Sequence, residues 1–142
     1  MKKFLKVSCI VFFTLALLSS KALAAPTFVD IFSVNSEETK PRGFTFNNDG
    51  TKMFVVGWKK DEVFEYTLST AWDITSTVTF VDSFDVAASG EDSQVRCVKF
   101  NSDGTKMFVL GSLNDSIYEY TLSTGFDVSS TVTFVDSFDI SS

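Results

Sequence analysis

Residues Arg42–Asp85 recur 54 positions later as Arg96–Asp139, with 29 identities in 44 aligned positions. Three blocks carry the copy: Asn-x-Asp-Gly-Thr-Lys-Met-Phe-Val at 47–55 and 101–109, Glu-Tyr-Thr-Leu-Ser-Thr at 65–70 and 119–124, and Thr-Val-Thr-Phe-Val-Asp-Ser-Phe at 77–84 and 131–138. A period of several tens of residues means one supersecondary unit built twice, whose apolar face is buried only against a neighbouring unit. That requirement restricts the fold more than any other property of the chain.

Within a repeat the apolar residues come in short runs between turn residues, and no segment keeps helical spacing over three turns. The second repeat predicts strands at Val95–Asn101, Lys106–Gly111, Ser116–Ser123 and Thr131–Ile140. The first predicts them at Arg42–Asn47, Lys52–Gly57, Glu62–Leu68 and Thr77–Val86. Pro26 and Pro41 both fall outside strand interiors, where proline is tolerated. Asn47-Asn48-Asp49-Gly50 and Asn101-Ser102-Asp103-Gly104 suit tight hairpins: Asp49 and Asp103 bond the turn backbone, and Gly50 and Gly104 take positive φ. Met53-Phe54-Val55-Val56 and Met107-Phe108-Val109-Leu110 do not alternate, so these strands need cover on both faces. Antiparallel four-stranded units stacked face to face give that cover, which predicts an all-β fold of β-propeller-type blades.

The run Phe-Asn-x-Asp-Gly-Thr-Lys-Met-Phe-Val, then Gly, a short loop with Asp, and Val/Ile-Phe/Tyr-Glu-Tyr-Thr-Leu resembles the YVTN-type and WD-repeat-like bacterial β-propellers. The resemblance covers 27–142, departing from the shorter repeats of that group by the long Thr70–Ser76 link. It implies a propeller fold and, for function, a wide range: scaffolds, adhesins, surface-layer parts and occasional enzymes. Thr27–Phe32 also matches Thr79–Phe84 and Thr133–Phe138, which predicts one extra N-terminal outer strand of the fourth type. The expected organisation is a leader at 1–24, that strand with a linker at 25–41, one blade at 42–95 and a second at 96–142. Propellers close with about four to eight blades, so the sequence predicts either continuation beyond Ser142, which the absence of a capping sequence favours, or self-association of several chains.

Lys2, Lys3 and Lys6, the apolar run Val7–Leu18 and Ala22-Leu23-Ala24 make up a secretory leader, expected to be cut after Ala24 and to send the chain to the periplasm, cell surface or medium. The run is short for a membrane span, and Cys9 precedes most of it, which argues against a lipid-anchored cysteine. Four of the 12 basic residues leave with the leader while all 18 acids stay, so the mature chain carries a net charge of −10. Such a surface repels phosphate backbones and makes nucleic acid a poor partner. Cys97 is then the sole cysteine, so no intrachain disulfide forms and stability rests on apolar packing. Thirteen of the 16 Phe lie in the mature part, each able to remove about 150–250 Å² from water.

Candidate sites are few. Asp49-Gly50 and Asp103-Gly104 lack the alternating oxygens and late Glu of a calcium loop, with Lys52 and Lys106 intruding, so they read as structural turns. Asp61 and Asp115, with Glu65 and Glu119, could in principle form carboxylate pairs for glycoside hydrolysis. Their recurrence in both copies points instead to a structural role in each blade. Arg42 and Arg96 open the strand that lines the channel in propellers of this resemblance, where they would bind anions or carboxylates bidentately or else pair with neighbouring acids such as Glu91 or Asp92. Trp58-Lys59-Lys60 has no counterpart in the second copy, where Ser112-Leu113-Asn114 stands. It reads either as a recognition patch for a sugar or protein or as a Trp folded over the blade edge. Cys97 reads as a small buried hydrophobe. The chain has no histidine, which removes the commonest general base and metal ligand, and no cofactor is expected. The sequence therefore predicts a secreted binding or scaffold module for a protein or glycan ligand, not an enzyme. The competing readings are part of a lactonase-like or polysaccharide-cleaving propeller enzyme whose catalytic residues lie on other blades, and a self-assembling structural component.

Overall fold

The computed structural model describes residues 25–88 and 94–141, so the leader at 1–24, and Glu91 and Asp92, lie outside the described residues. Turn chemistry fixes the first hairpin of each repeat. The Asn47 N–H donates to the Lys52 carbonyl (3.1 Å) and the Gly50 N–H to the Asn47 carbonyl (3.2 Å). Asp49 Oδ1 accepts from the Thr51 N–H (2.9 Å) and hydroxyl (2.6 Å), and these bonds, the hydroxyl's first, hold its carboxyl below the ordinary carboxylate value. Asp103 and Thr105 repeat the arrangement. Gly50 and Gly104 both sit at φ 74°, the left-handed region that costs a residue with a Cβ.

Eight strands follow in chain order: β1 (Pro41–Phe46), β2 (Lys52–Gly57), β3 (Glu62–Leu68), β4 (Val78–Asp85), β5 (Val95–Phe100), β6 (Lys106–Gly111), β7 (Ser116–Leu122) and β8 (Val132–Asp139). They form two antiparallel sheets, β1-β2-β3-β4 and β5-β6-β7-β8, so the all-β reading with four-stranded blades holds. Each β3–β4-type link folds back on its own hairpin turn. Trp72 and Phe126 take positive φ (62° and 55°) and donate their N–H groups to the Gly50 and Gly104 carbonyls (3.0 and 3.1 Å). Asp73 and Asp127 accept the backbone N–H groups of Thr75 and Ser129.

The two sheets stack. Phe54 and Val56 of β2, Val63 of β3 and Val86 share one core with Val98, Met107, Val109, Tyr118, Tyr120 and Val128 of the second repeat. Phe54 meets Phe100 at 4.5 Å between ring centres, Phe100 meets Phe126 at 5.4 Å, and Phe84 stands edge-on to Tyr120 at 5.2 Å. A polar latch crosses the same interface. Lys52 Nζ is 2.7 Å from Glu65 Oε1 and donates to the Phe126 carbonyl (2.7 Å). Glu65 Oε2 accepts the Val128 N–H at 2.8 Å. Every polar atom of the buried carboxylate is thereby answered, the condition under which a buried charge is tolerated. At the inner side β1 lies against β5, where Gly43 faces the Arg96–Cys97 backbone.

One expectation fails. Thr27–Phe32 is not a ninth strand: the segment is without strand pairing, and Phe28, Val29 and Ile31 are exposed. A fourth-type strand needs the open edge of a third-type strand, and both β3 and β7 already have partners on each side. The side chains nonetheless keep the motif's role. Phe32, aligned with Phe84, stands edge-on to Tyr66 at 5.6 Å, as Phe84 does to Tyr120. With Val34 it packs on the outward core of the first sheet, Met53, Val55, Phe64, Tyr66 and Leu68. The Tyr66 hydroxyl donates to Glu37 Oε2 (3.2 Å), and burial, followed by the Glu37 charge, pushes its ionisation upward.

Candidate functional site: a cationic patch around Trp58

Arg42 is the bulged residue of β1: the pairing with β2 steps from Pro41↔Gly57 to Gly43↔Val56 and leaves it unmatched. A bulge re-aims its side chain out of the ladder. The Arg42 guanidinium carbon lies 5.2 Å from the centre of the Trp58 ring, within range for a cation–π contact. Trp58 starts the β2–β3 turn and is 41% exposed. Its N–H donates to the Lys40 carbonyl (3.3 Å), which joins the linker before β1 to the turn.

Glu38 fixes that junction. Its buried carboxylate accepts the Lys40 N–H at Oε1 (2.5 Å) and the Lys60 N–H at Oε2 (3.2 Å). The side chains of Lys40, Lys59 and Lys60 therefore leave a braced backbone, and Lys60 Nζ lies 5.6 Å from the Phe64 ring centre. Thr39, Lys40, Trp58 and Lys59 line a shallow cavity of about 450 Å³. Among the described residues the ion pairs are Lys52–Glu65 and Lys106–Glu119, so none of Lys40, Arg42, Lys59 and Lys60 spends its charge on a carboxylate. On a chain with an excess of acids this gathers four basic side chains near one turn, with the Glu38 carboxylate among them and an aromatic face beside them. Such a surface can hold a carboxylate in the Arg42 fork and an apolar sugar or side-chain face against the indole.

The structure brings Arg42 onto Trp58, with Lys59 in the same cavity lining as Trp58, whereas Lys60 Nζ lies over Phe64; the sequence treats Arg42 and Trp58-Lys59-Lys60 as two separate candidates. Arg96 does not join them. It is the matching bulge residue of β5, but its Nε donates to Ser112 Oγ (2.7 Å) and its Nη2 to Gln94 Oε1 (3.4 Å), ties within its own sheet. Asp49, Gly50, Asp103 and Gly104 occupy the hairpin turns. Glu65 serves the intersheet latch, and Asp61 Oδ1 accepts the Val95 N–H of the next sheet (3.3 Å), so both carry structural bonds between the sheets. Cys97 is half-buried on β5. Among the described residues no group of three His, Cys, Asp or Glu could hold a metal, and no helix is long and apolar enough to cross a membrane.

Sequence reasoning missed Lys40 and Glu38. The signal was available: carrying the 54-residue alignment back past Arg42 sets Lys40 opposite Gln94 and Glu38 opposite Asp92. The backbone bond from Trp58 to Lys40 recurs as Ser112 N–H to the Gln94 carbonyl (3.1 Å).

No protein-family model matches the chain, and no curated protein matches it. Solved structures do. A functionally unknown protein from Desulfotomaculum acetoxidans DSM 771 is 19% identical with a TM-score of 0.50, over 70% of this chain and 27% of that one. The periplasmic gluconolactonase PpgL of Pseudomonas aeruginosa is 17% identical with a TM-score of 0.50, over 70% of this chain and 26% of that one. The chain thus spans about a quarter of the length of these structures. At such identities the likeness concerns fold, and it agrees with two four-stranded sheets that resemble propeller blades.

Proposed function

We propose that the chain is a pair of blades of the YVTN-type, WD-repeat-like kind acting outside the cytoplasm as a binding module. Its ligand surface is the patch of Lys40, Arg42, Trp58, Lys59 and Lys60, and the favoured ligand is a glycan that carries carboxylates. One observation supports this most: an exposed indole carries the Arg42 guanidinium over its ring and shares a cavity with Lys40 and Lys59, and none of these cations has a carboxylate partner among the described residues, on a chain whose acids outnumber its bases. Aromatic and Arg anchors of this kind dominate recognition surfaces. The near-identity of the two repeats argues against catalysis, because acid and base roles need distinct environments. The reading as part of a propeller enzyme has a fold likeness to a gluconolactonase behind it, and at 17% identity that likeness carries no chemistry.

Titration calorimetry with polygalacturonate and with a neutral dextran tests the proposal. Binding of the acidic polymer alone, weakened by salt and reduced at least about tenfold by Trp58→Ala or Arg42→Gln, is expected, since each group supplies more than 1.4 kcal/mol at an anchored contact. Unchanged binding in both variants, or equal binding of dextran, overturns it.

A further inference from the structure

Each side of the interface between the two sheets is written into the chain twice and used once. The side of the first sheet that meets the second presents Phe54, Val56, Val63, Glu65, Phe84 and Val86. Shifted by 54 residues, these become Phe108, Leu110, Ile117, Glu119, Phe138 and Ile140, which form the outward side of the second sheet. There Ile117, Phe138 and Ile140 are exposed, and Phe108, Ile117, Glu119 and Phe138 line a cavity of about 200 Å³. The receiving side of the second sheet presents Val98, Phe100, Tyr120, Phe126 and Val128. Its counterpart is the outward side of the first sheet: Phe44, Phe46, Tyr66, Trp72 and Ile74. Phe44 is 64% exposed where Val98 is 1%, and Phe44, Phe46 and Ile74 border an apolar cavity of about 360 Å³.

The polar latch is duplicated in the same way. Lys106 Nζ and Glu119 Oε1 already stand 2.6 Å apart, as Lys52 and Glu65 do. Among the described residues Glu119 Oε2 makes no hydrogen bond, whereas its counterpart on Glu65 holds the Val128 N–H. Ile74, the counterpart of Val128, offers that N–H on the opposite face of the molecule.

We propose that these two outward sides dock on each other between two copies of the chain, head to tail, and so form a further instance of the intrachain interface. In that contact Phe108 of one copy enters the cavity beside Phe46 of the other, as Phe54 meets Phe100. Glu119 accepts the Ile74 N–H, and Lys106 donates to the Trp72 carbonyl. Phe32 and Val34 cover the outer end of the receiving side, in the places that Phe84 and Val86 hold in the formed interface. The incoming Phe138 and Ile140 compete with them, which makes the association weaker than the intrachain contact. A heterologous contact of this kind needs one side from each partner.

Light scattering on the purified full chain, across concentration, tests the docking. The wild type is expected to associate as concentration rises. Phe44→Glu spoils the receiving side and Ile117→Glu the presenting side, so each variant alone stays monomeric, while a one-to-one mixture yields a dimer and nothing larger. A wild type that is monomeric throughout, as when only further repeats or another protein cover these sides, overturns the proposal. So does a single variant that still associates, or a mixture that does not. Far-UV circular dichroism checks the fold, and Phe138→Ser, at a 69% exposed position, replaces Ile117→Glu if that variant unfolds.

Discussion

The two sheets carry nearly the same residues and differ in what covers them. Lys52–Glu65 and Lys106–Glu119 are the same ion pair at 2.7 and 2.6 Å, yet the Glu65 side chain is 1% exposed and the Glu119 side chain 27%. β2 is buried on both faces, whereas β6 alternates between buried and partly open positions. Nearly identical local sequence, KMFVVG and KMFVLG, thus yields a core element in one copy and a surface element in the other. A neighbour, not the strand, decides how much each side chain contributes.

Substitutions at matched positions should break this contrast in order of coverage. Phe54→Ala should cost about 3–5 kcal/mol, since it empties a closed site between two sheets. Its counterpart Phe108→Ala, on the half-covered side, should cost under about 1 kcal/mol, and urea unfolding of both variants measures the gap. Equal losses would mean that the outward side is as tightly covered as the interface.

Glu65→Gln should follow at about 2–3 kcal/mol, the scale of a hydrogen-bonded charge lost from a buried site. Glu119→Gln should lie within about 0.5 kcal/mol of wild type, as for an exposed pair. Raising salt should narrow the first difference little, because a buried pair is poorly screened.

Gly104→Ala should cost about 2 kcal/mol and Gly50→Ala about 1 kcal/mol, combining the positive φ penalty with crowding against an aromatic ring. A Cβ at either site runs into the ring of Phe126 or Trp72. At Gly104 the Cβ would also meet the Phe126 backbone nitrogen at 2.5 Å, which cannot swing aside, whereas at Gly50 the nearest atoms all belong to the Trp72 side chain, which is 59% exposed and can. Thermal melts compare the two.

The smallest expected effect is acid sensitivity. Asp49, Asp73, Asp103 and Asp127 are all held below their ordinary value of 3.8 by hydrogen bonds from the hydroxyl and N–H of the second residue onward. A folded pKa below the unfolded one adds stability that is complete above the unfolded value and disappears as pH falls through the folded one. Melting temperature should therefore drop as pH falls below about 4, and Thr51→Val with Thr105→Val should flatten that drop.

Much of this was legible in the letters. The copied blocks and the Asn-x-Asp-Gly turns gave strand order and hairpins, and β2, β3 and β6 lie at the predicted bounds. Thr27–Phe32 shows where pattern stops: the motif foretold which residues would pack, with Phe32 on Tyr66, but strand pairing depends on an edge that no local pattern reveals. The patch was half legible for the same reason. Trp58-Lys59-Lys60 stood out because its copy differs, while the approach of Arg42 depends on a bulge and that of Lys40 on a buried Glu38, both consequences of the assembled sheet.

The near-touch at Gly43 carries a geometric consequence. A Cβ there would stand 2.7 Å from the Arg96 carbonyl oxygen and 3.5 Å from the Cys97 Cα, while on the far side of β1 the sheets are held apart by phenylalanine rings. Glycine at this point is what lets β1 approach β5 so closely. Any side chain larger than hydrogen at this point would hold β1 further from β5. The second copy has Cys97 in that place, so the docked copy proposed above meets a side chain where the first interface has none.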